Sequence, residues 1–348
     1  MPVELNALAD VLALRFDDII DVRAPAEYAD DHLPGAISLP VLDDAERARV
    51  GTIYKQVSPF DARKIGAALV AKNASAHLQG PLAAKPGNWQ PLVYCWRGGQ
   101  RSGSFATILS QIGWRVEVVK GGYKTWRKLV VDALYDQPFP CRMVVLDGNT
   151  GTAKTDVLKL LPDHGVQVLD LEGLACHRGS LFGAIGPQPS QRAFEGHLAL
   201  AIARLDPTRP VVVEAESSKI GNLRLPSRLW RCMVAAPRIT IAAPLEARAR
   251  YLTRAYADLV TDPARLDAVL QRLRPLHPAD VIAQWRSLAD TGAFPALAAG
   301  LMQQHYDPRY AKHRARTAPP LTELTAQSLD PKDLAPLAHH IANVVLQG

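Results

Sequence analysis

Two glycine-containing junctions, each set between an apolar β-rich run and a helical pattern, constrain this chain more than any other feature. The first is Cys95-Trp96-Arg97-Gly98-Gly99-Gln100-Arg101-Ser102, which follows Leu92, Val93 and Tyr94 and precedes Phe105, Ile108, Leu109 and Ile112 at helical spacing. The second is Gly148-Asn149-Thr150-Gly151-Thr152-Ala153-Lys154-Thr155, between Met143–Leu146 and the periodic Val157, Leu158, Leu160 and Leu161. A strand that turns into a helix is the building unit of a parallel sheet. Further strand patterns fall at Ile19, Ile20 and Val22, at Val116, Val118 and Val119, at Val166–Leu169 and at Val211–Val213. The chain is therefore α/β throughout, with a C-terminal part that reads as mostly helical.

A length of 348 residues suits about two domains. The run Tyr135-Asp136-Gln137-Pro138-Phe139-Pro140-Cys141 holds two prolines, which interrupt helix and ladder alike. It divides an N-terminal domain, 1–135, from a second domain, 136–348. The 48% hydrophobic content excludes a disordered chain. No run approaches the ~20 apolar residues that span a bilayer. The acidic N-terminus lacks the basic region of a secretory signal. Cys95, Cys141, Cys176 and Cys232 are widely spaced, without a C-x-x-C pair, so neither a zinc site nor a disulfide framework is expected. These features point to the reducing cytoplasm.

The net charge of +6 is unevenly spread. Lys219, Arg224, Arg228, Arg231, Arg238, Arg248, Arg250 and Arg254 face a single acid, Glu246, between 219 and 254. Arg309, Lys312, Arg314 and Arg316 cluster with His313. Such clustering is the footprint of a polyanionic partner, and Lys219, Arg224, Arg228 and Arg231 are the candidates for nucleic-acid contact.

The first junction places a thiol beside a helix N-terminus, where backbone N–H groups converge on an anion. Arg97 and Arg101 add positive charge, and both effects favour the nucleophilic thiolate of Cys95. Gly98 and Gly99 permit the backbone turns of such a cradle. A sulfurtransferase uses this arrangement to carry sulfur. A Cys-x5-Arg phosphatase uses it too, and Cys95 to Arg101 satisfies that spacing.

The second junction has the order of a Walker A loop. Gly148 and Gly151 free the backbone around Asn149 and Thr150, Lys154 neutralises phosphate, and Thr155 could hold Mg2+. Ala153 stands where that pattern has Gly, which is tolerable if its φ stays negative. Downstream, Glu214 and Glu216 end a strand and are candidates to hold a metal or a water. The loop with His177 and Arg178 is a further functional candidate, whereas Cys176 lacks a glycine cradle.

Asp21-Val-Arg-Ala-Pro-Ala-Glu-Tyr28, His32-Leu-Pro-Gly35 and Gly121-Gly-Tyr-Lys-Thr-Trp126 resemble the signatures of rhodanese domains, over about residues 5–133. The cysteine loop is one residue longer than is usual there, room for a tetrahedral phosphate-bearing group. The fusion to a phosphate-loop domain with Asp170-Leu-Glu-Gly-Leu-Ala-Cys-His-Arg-Gly-Ser180, Gly51-Thr-Ile-Tyr-Lys-Gln56, Glu214-Ala-Glu-Ser-Ser-Lys-Ile-Gly221 and His305-Tyr-Asp-Pro-Arg-Tyr310 resembles the bacterial tRNA 2-selenouridine synthases. Departures are Ala153, Cys176 and Asp31.

The resemblance implies a cytoplasmic transferase acting on the wobble 2-thiouridine of tRNAs for Lys, Glu and Gln. It implies geranylation of the sulfur by geranyl diphosphate, then displacement of the S-geranyl group by selenium from selenophosphate. In that scheme Lys154, with Arg178, stabilises the departing pyrophosphate, Cys95 handles selenophosphate, and Trp96 could stack on a base. No tightly bound cofactor is expected; selenophosphate and geranyl diphosphate are substrates, and Mg2+ could accompany the phosphates. Three readings stay open beside it: a plain sulfurtransferase, a Cys-x5-Arg phosphatase fused to a nucleotide-binding module, and an anion-binding rhodanese domain that regulates a phosphate-loop kinase.

Overall fold

The structure is a computed structural model that describes residues 2–314 and 321–347, with residues 312–314 through their backbone alone. The chain forms two compact units: residues 1–138 with 189–204, and residues 139–188 with 205–348. Among the described residues, no helix is long and apolar enough to cross a membrane.

The first unit is built on a five-stranded sheet of β1 (Pro2–Val3), β2 (Asp18–Asp21), β3 (Ala36–Ser38), β4 (Pro91–Tyr94) and β5 (Glu117–Val119). Its order is β1-β5-β4-β2-β3, and every pairing is parallel. All four residues of β4 are buried, as a central parallel strand covered on both faces requires. The helix Gln100–Ile112 follows β4 and ends at Gly113, whose φ of 110° closes the last turn. Ile20, Val93, Phe105 and Leu109 pack in the core on one side of the sheet.

Residues 189–204, assigned from sequence to the second domain, cluster with the first unit instead. The cause is local packing on the helix Gln191–Ala203. Gly196 sits against the buried Trp126, where a Cβ would come within 3.0 Å of the ring. Glu195, itself buried, is bound by Arg127 and by the Tyr135 hydroxyl at 2.9 Å, and Arg192 pairs with Asp30 at 2.6 Å.

The second unit carries a five-stranded sheet of β6 (Met143–Gly148), β7 (Gln167–Leu169), β8 (Val211–Glu214), β11 (Arg238–Ala242) and β12 (Thr322–Thr325), in the order β12-β11-β6-β8-β7. A separate antiparallel pair joins β9 (Lys219–Ile220) to β10 (Leu223–Arg224). The large sheet is parallel throughout. β6 lies between β8 and β11, so the strand order reverses beside it, and ligands of open α/β sheets bind at the carboxyl ends of strands at such a point. The C-terminal helix Pro331–Gln347 buries Leu334, Ala338, Ile341 and Val345 against this sheet's core. Helices between 257 and 301 form a second apolar cluster around Trp285 and Leu270.

Candidate functional site

Cys95 leaves the carboxyl end of β4 and is buried, 3% exposed. The Ser102 hydroxyl donates to its Sγ at 3.1 Å. Burial pushes the thiol up, yet the hydrogen bonds from Ser102 and the Arg97 amide, with the Arg101 charge, outweigh it and hold the thiol below its ordinary value. The turn is shaped by glycine. Gly98 has φ +65°, and a Cβ there would meet the Val119 carbonyl at 2.7 Å. Gly99 caps the following helix, and the Arg97 side chain is exposed. Arg101 is turned to Glu27, at 2.8 Å, which fixes its position beside the loop. Trp96 is half-buried and stacks on Tyr123, with ring centroids 5.1 Å apart. Asp31, the departure from the rhodanese signature, is buried and accepts the Tyr123 hydroxyl at 2.8 Å.

In the second unit the phosphate loop joins β6 to the helix Lys154–Leu160. Gly148 and Gly151 take positive φ, and a Cβ on Gly148 would come within 2.7 Å of the Ile241 carbonyl. Lys154 donates to the carbonyl oxygens of Gly148 at 3.0 Å and Asn149 at 3.4 Å, so its ammonium is folded back over the loop. Burial lowers the Lys154 pKa, but Tyr310, Glu214 and their neighbours raise it more, so it stays charged.

Ala153 adopts φ +58° and ψ 25°, against the negative φ that its methyl group favours. The loop keeps the glycine-type turn although the glycine is missing. Cys176, at φ +50°, is the other residue without a glycine's freedom in this region.

Thr155 donates to Glu214 Oε1 at 2.8 Å and lies 3.3 Å from Glu172 Oε2. Glu172, Glu214 and Glu216 converge beside the loop, with Gly179 against both Glu172 and Glu216. All three carboxyl groups are held above the usual range, first by burial and then by one another. Glu214 Oε2 is buried and has no hydrogen-bond partner. Thr155 and Glu214 thus offer the oxygen donors that a hard cation takes, although no cluster of three or more His, Cys, Asp or Glu is set to hold a metal ion among the described residues.

These groups line a cavity of 740 Å3, together with Arg178, Tyr256, Arg309 and Tyr310. Arg178 pairs with Asp258 at 2.9 Å and stacks over Tyr256, while its Nη1 is buried without a hydrogen-bond partner. His177 is outside the lining; its Nδ1 accepts the Gly179 amide at 3.1 Å and its backbone bridges to Ala184. Glu172, Tyr256 and Tyr310 were not singled out as site residues from sequence. The available signals were that Glu172 falls three residues after the end of β7 and that Glu172 and Tyr310 lie in segments that carry the family resemblance.

The basic stretch 219–254 does not form one surface. Arg238 pairs with Asp147 at 3.3 Å, and Arg248 binds Asp307 at 2.6 Å and the Thr150 carbonyl at 2.9 Å. Both arginines are largely buried and brace the phosphate loop. Lys219 and Arg224 face each other across the β9–β10 pair and are exposed. Arg228 and Arg231 follow on the helix Ser227–Ala235 at a spacing that puts them on one face. Arg309 belongs to the cavity wall; Arg316 lies outside the described residues.

Residues 3–129 match the rhodanese-like domain, and residues 141–268 match the tRNA 2-selenouridine synthase AAA domain. The chain is similar to proteins named tRNA 2-selenouridine synthase. That of Psychromonas ingrahamii is 36% identical over 250 residues, 71% of this chain and 67% of that protein. That of Aeromonas salmonicida is 38% identical over 259 residues, 73% and 69%. That of Chromohalobacter salexigens is 34% identical over 338 residues, 88% and 91%.

Proposed function

The chain belongs to the tRNA 2-selenouridine synthase family, and from that premise we propose that it converts wobble 2-thiouridine of tRNAs for Lys, Glu and Gln to 2-selenouridine in two steps. The observation that carries the reading is the presence of two anion cradles of different chemistry in one chain. One holds a nucleophilic sulfur. The other holds the half-buried ammonium of Lys154 and no thiol.

The phosphate loop takes the diphosphate of geranyl diphosphate. The thiouridine sulfur attacks the first carbon of the geranyl group, the carbon–oxygen bond breaks, pyrophosphate leaves, and the base loses its N3 proton. Lys154 and Arg178 stabilise the negative charge that develops on the leaving group. Mg2+, held by Thr155 and Glu214, would neutralise further phosphate charge. Alkylation turns the sulfur into a better leaving group. Selenophosphate then adds its selenium to C2 of the uracil ring, the C2–S bond breaks and geranylthiol leaves with a proton, and water cleaves the Se–P bond to release phosphate and 2-selenouridine. The Cys95 loop binds the selenophosphate anion through its amides and Arg97.

Exposed Lys219, Arg224 and Arg231, with the half-buried Arg228, support a tRNA-binding role, because phosphate contacts need accessible cations. The test is mass spectrometry of nucleosides from an anticodon stem-loop, and then a full tRNA, containing 2-thiouridine. Geranyl diphosphate should yield the S-geranyl nucleoside, and added selenophosphate the 2-selenouridine. Failure of both products on full tRNA overturns the proposal. Release of phosphate from a simple aryl phosphate would instead favour the phosphatase reading.

A further inference from the structure

The cavity at the phosphate loop has an apolar annex. A pocket of 80 Å3 in the second unit is walled by Phe182, Leu259, Phe294, Leu297, Ala298 and Met302, among other carbon-rich side chains. Thr150, Ser180, Leu252, Tyr256 and Tyr306 line both this pocket and the 740 Å3 cavity, so the two adjoin. Most polar groups on the annex wall are engaged with protein, while the Tyr306 hydroxyl is buried without a hydrogen-bond partner. Ser180 and Tyr256 join hydroxyls at 3.0 Å, the Thr253 hydroxyl donates to Ala249 at 3.0 Å, and the Thr150 carbonyl accepts from Arg248.

A ligand that fills both spaces must therefore be anionic at one end, facing Lys154 and Arg178, and hydrocarbon at the other. The ribose and base of a nucleotide would set several polar edges against carbon, more than the Tyr306 hydroxyl could meet.

We infer that the annex seats the end of the hydrocarbon tail of an alkenyl diphosphate and gauges its length, with Ala298 and Met302 setting the depth. The inference rests on the phosphate-loop reading above and adds the residues that select the tail. A cavity of ~150 Å3 holds one benzene; at 80 Å3 the annex takes the branched end of a chain, not a whole ten-carbon group. Ala298 and Met302 are one helical turn apart, so both side chains lie on the same face.

The experiment uses the full chain and three probes: inorganic pyrophosphate, geranyl diphosphate and farnesyl diphosphate, with binding read by calorimetry. The wild type should bind geranyl diphosphate more tightly than pyrophosphate. Ala298→Leu should weaken geranyl diphosphate roughly tenfold or more and leave pyrophosphate unchanged. Met302→Ala, which deepens the pocket, should shift preference towards farnesyl diphosphate. Equal affinity of the wild type for pyrophosphate and geranyl diphosphate overturns the annex and leaves the phosphate loop standing. So does an Ala298→Leu protein that keeps its geranyl diphosphate affinity, or one that loses both probes alike while Met302→Ala shows no shift. A wild type that binds none of the three overturns the phosphate-loop reading itself.

Discussion

The Ser102 hydroxyl lies 3.1 Å from Cys95 Sγ and 3.3 Å from the Gly99 carbonyl, so one side chain ties the thiol to the first turn of the helix that follows it. A thiol held below its ordinary value is the more reactive one at neutral pH. Ser102→Ala should move the midpoint of iodoacetamide alkylation of Cys95 to higher pH. Below that midpoint, a tenfold change in thiolate accompanies each pH unit, so the rate at pH 7 should fall about threefold to tenfold. An unchanged pH–rate profile would show that Ser102 does not act on the sulfur.

Lys154 and Cys95 should fail at different steps. Lys154→Ala should lower formation of the S-geranyl nucleoside by roughly 10²-fold, the scale of losing one preorganised charge-stabilising group. It should still selenate RNA that is already geranylated. Cys95→Ser should show the reverse pattern. Loss of both steps in either protein would mean that the two cradles do not divide the chemistry.

Ala153→Gly restores the glycine of a common phosphate loop, and two opposing effects decide its outcome. Relief of the left-handed conformation at φ +58° is worth about 1–2 kcal/mol. Removal of a methyl group that is 2% exposed costs about 0.8 kcal/mol, and the freer unfolded chain roughly 0.5–1 more. The terms nearly cancel. The melting temperature should therefore move by less than about 4 °C, measured by calorimetry in the absence of ligand.

His305 is buried, and Arg309 donates to its Nε2 while its Nδ1 lies 2.8 Å from His277 Nε2. Burial, then the Arg309 charge and His277, push its pKa down to about 4. The neutral ring is the folded form. The unfolded chain takes up a proton near pH 6.5, so stability is full above that pH and is lost as pH falls from 6.5 towards 4. Thermal melts should show this decline, at roughly 2–4 °C per kcal/mol lost. His305→Gln should flatten the pH dependence.

The arginines between 219 and 254 should separate into two groups. Lys219→Ala and Arg231→Ala should each reduce the salt dependence of tRNA affinity by about one unit of log–log slope per lost phosphate contact, without changing the melt. Arg238→Ala should instead destabilise the second unit by up to about 3 kcal/mol, because Asp147 loses a largely buried cation but keeps the Gly148 amide. An Arg238→Ala protein with unaltered melting and weakened tRNA binding would reverse that division.

The strand–turn–helix junctions were legible because their signals are local: Leu92–Tyr94, the glycines and the helical spacing that follows all fall within one window. The partners of the basic stretch were not. Arg238 meets Asp147 only after β11 lies down beside β6, and Arg248 on the helix Leu245–Ala255 meets Asp307 only in the packed fold, so charge counting along the chain cannot foresee either salt bridge. Glu172 escaped for the same reason. Its contact with Thr155 depends on a strand that reaches the loop only in the folded sheet. Ala153 shows a different failure: steric preference gave the right cost and the wrong conformation, since the surrounding loop dictates φ there.

The excursion of residues 189–204 makes the two units inseparable by any single cut. A fragment that ends at 138 would lose the helix that covers Trp126 and would leave Arg127 and Tyr135 without Glu195. A fragment that begins at 139 would carry that helix with its apolar face bare. The order of the chain therefore couples the two units at the level of folding: a mutation or proteolytic nick near either end of this excursion should disturb both.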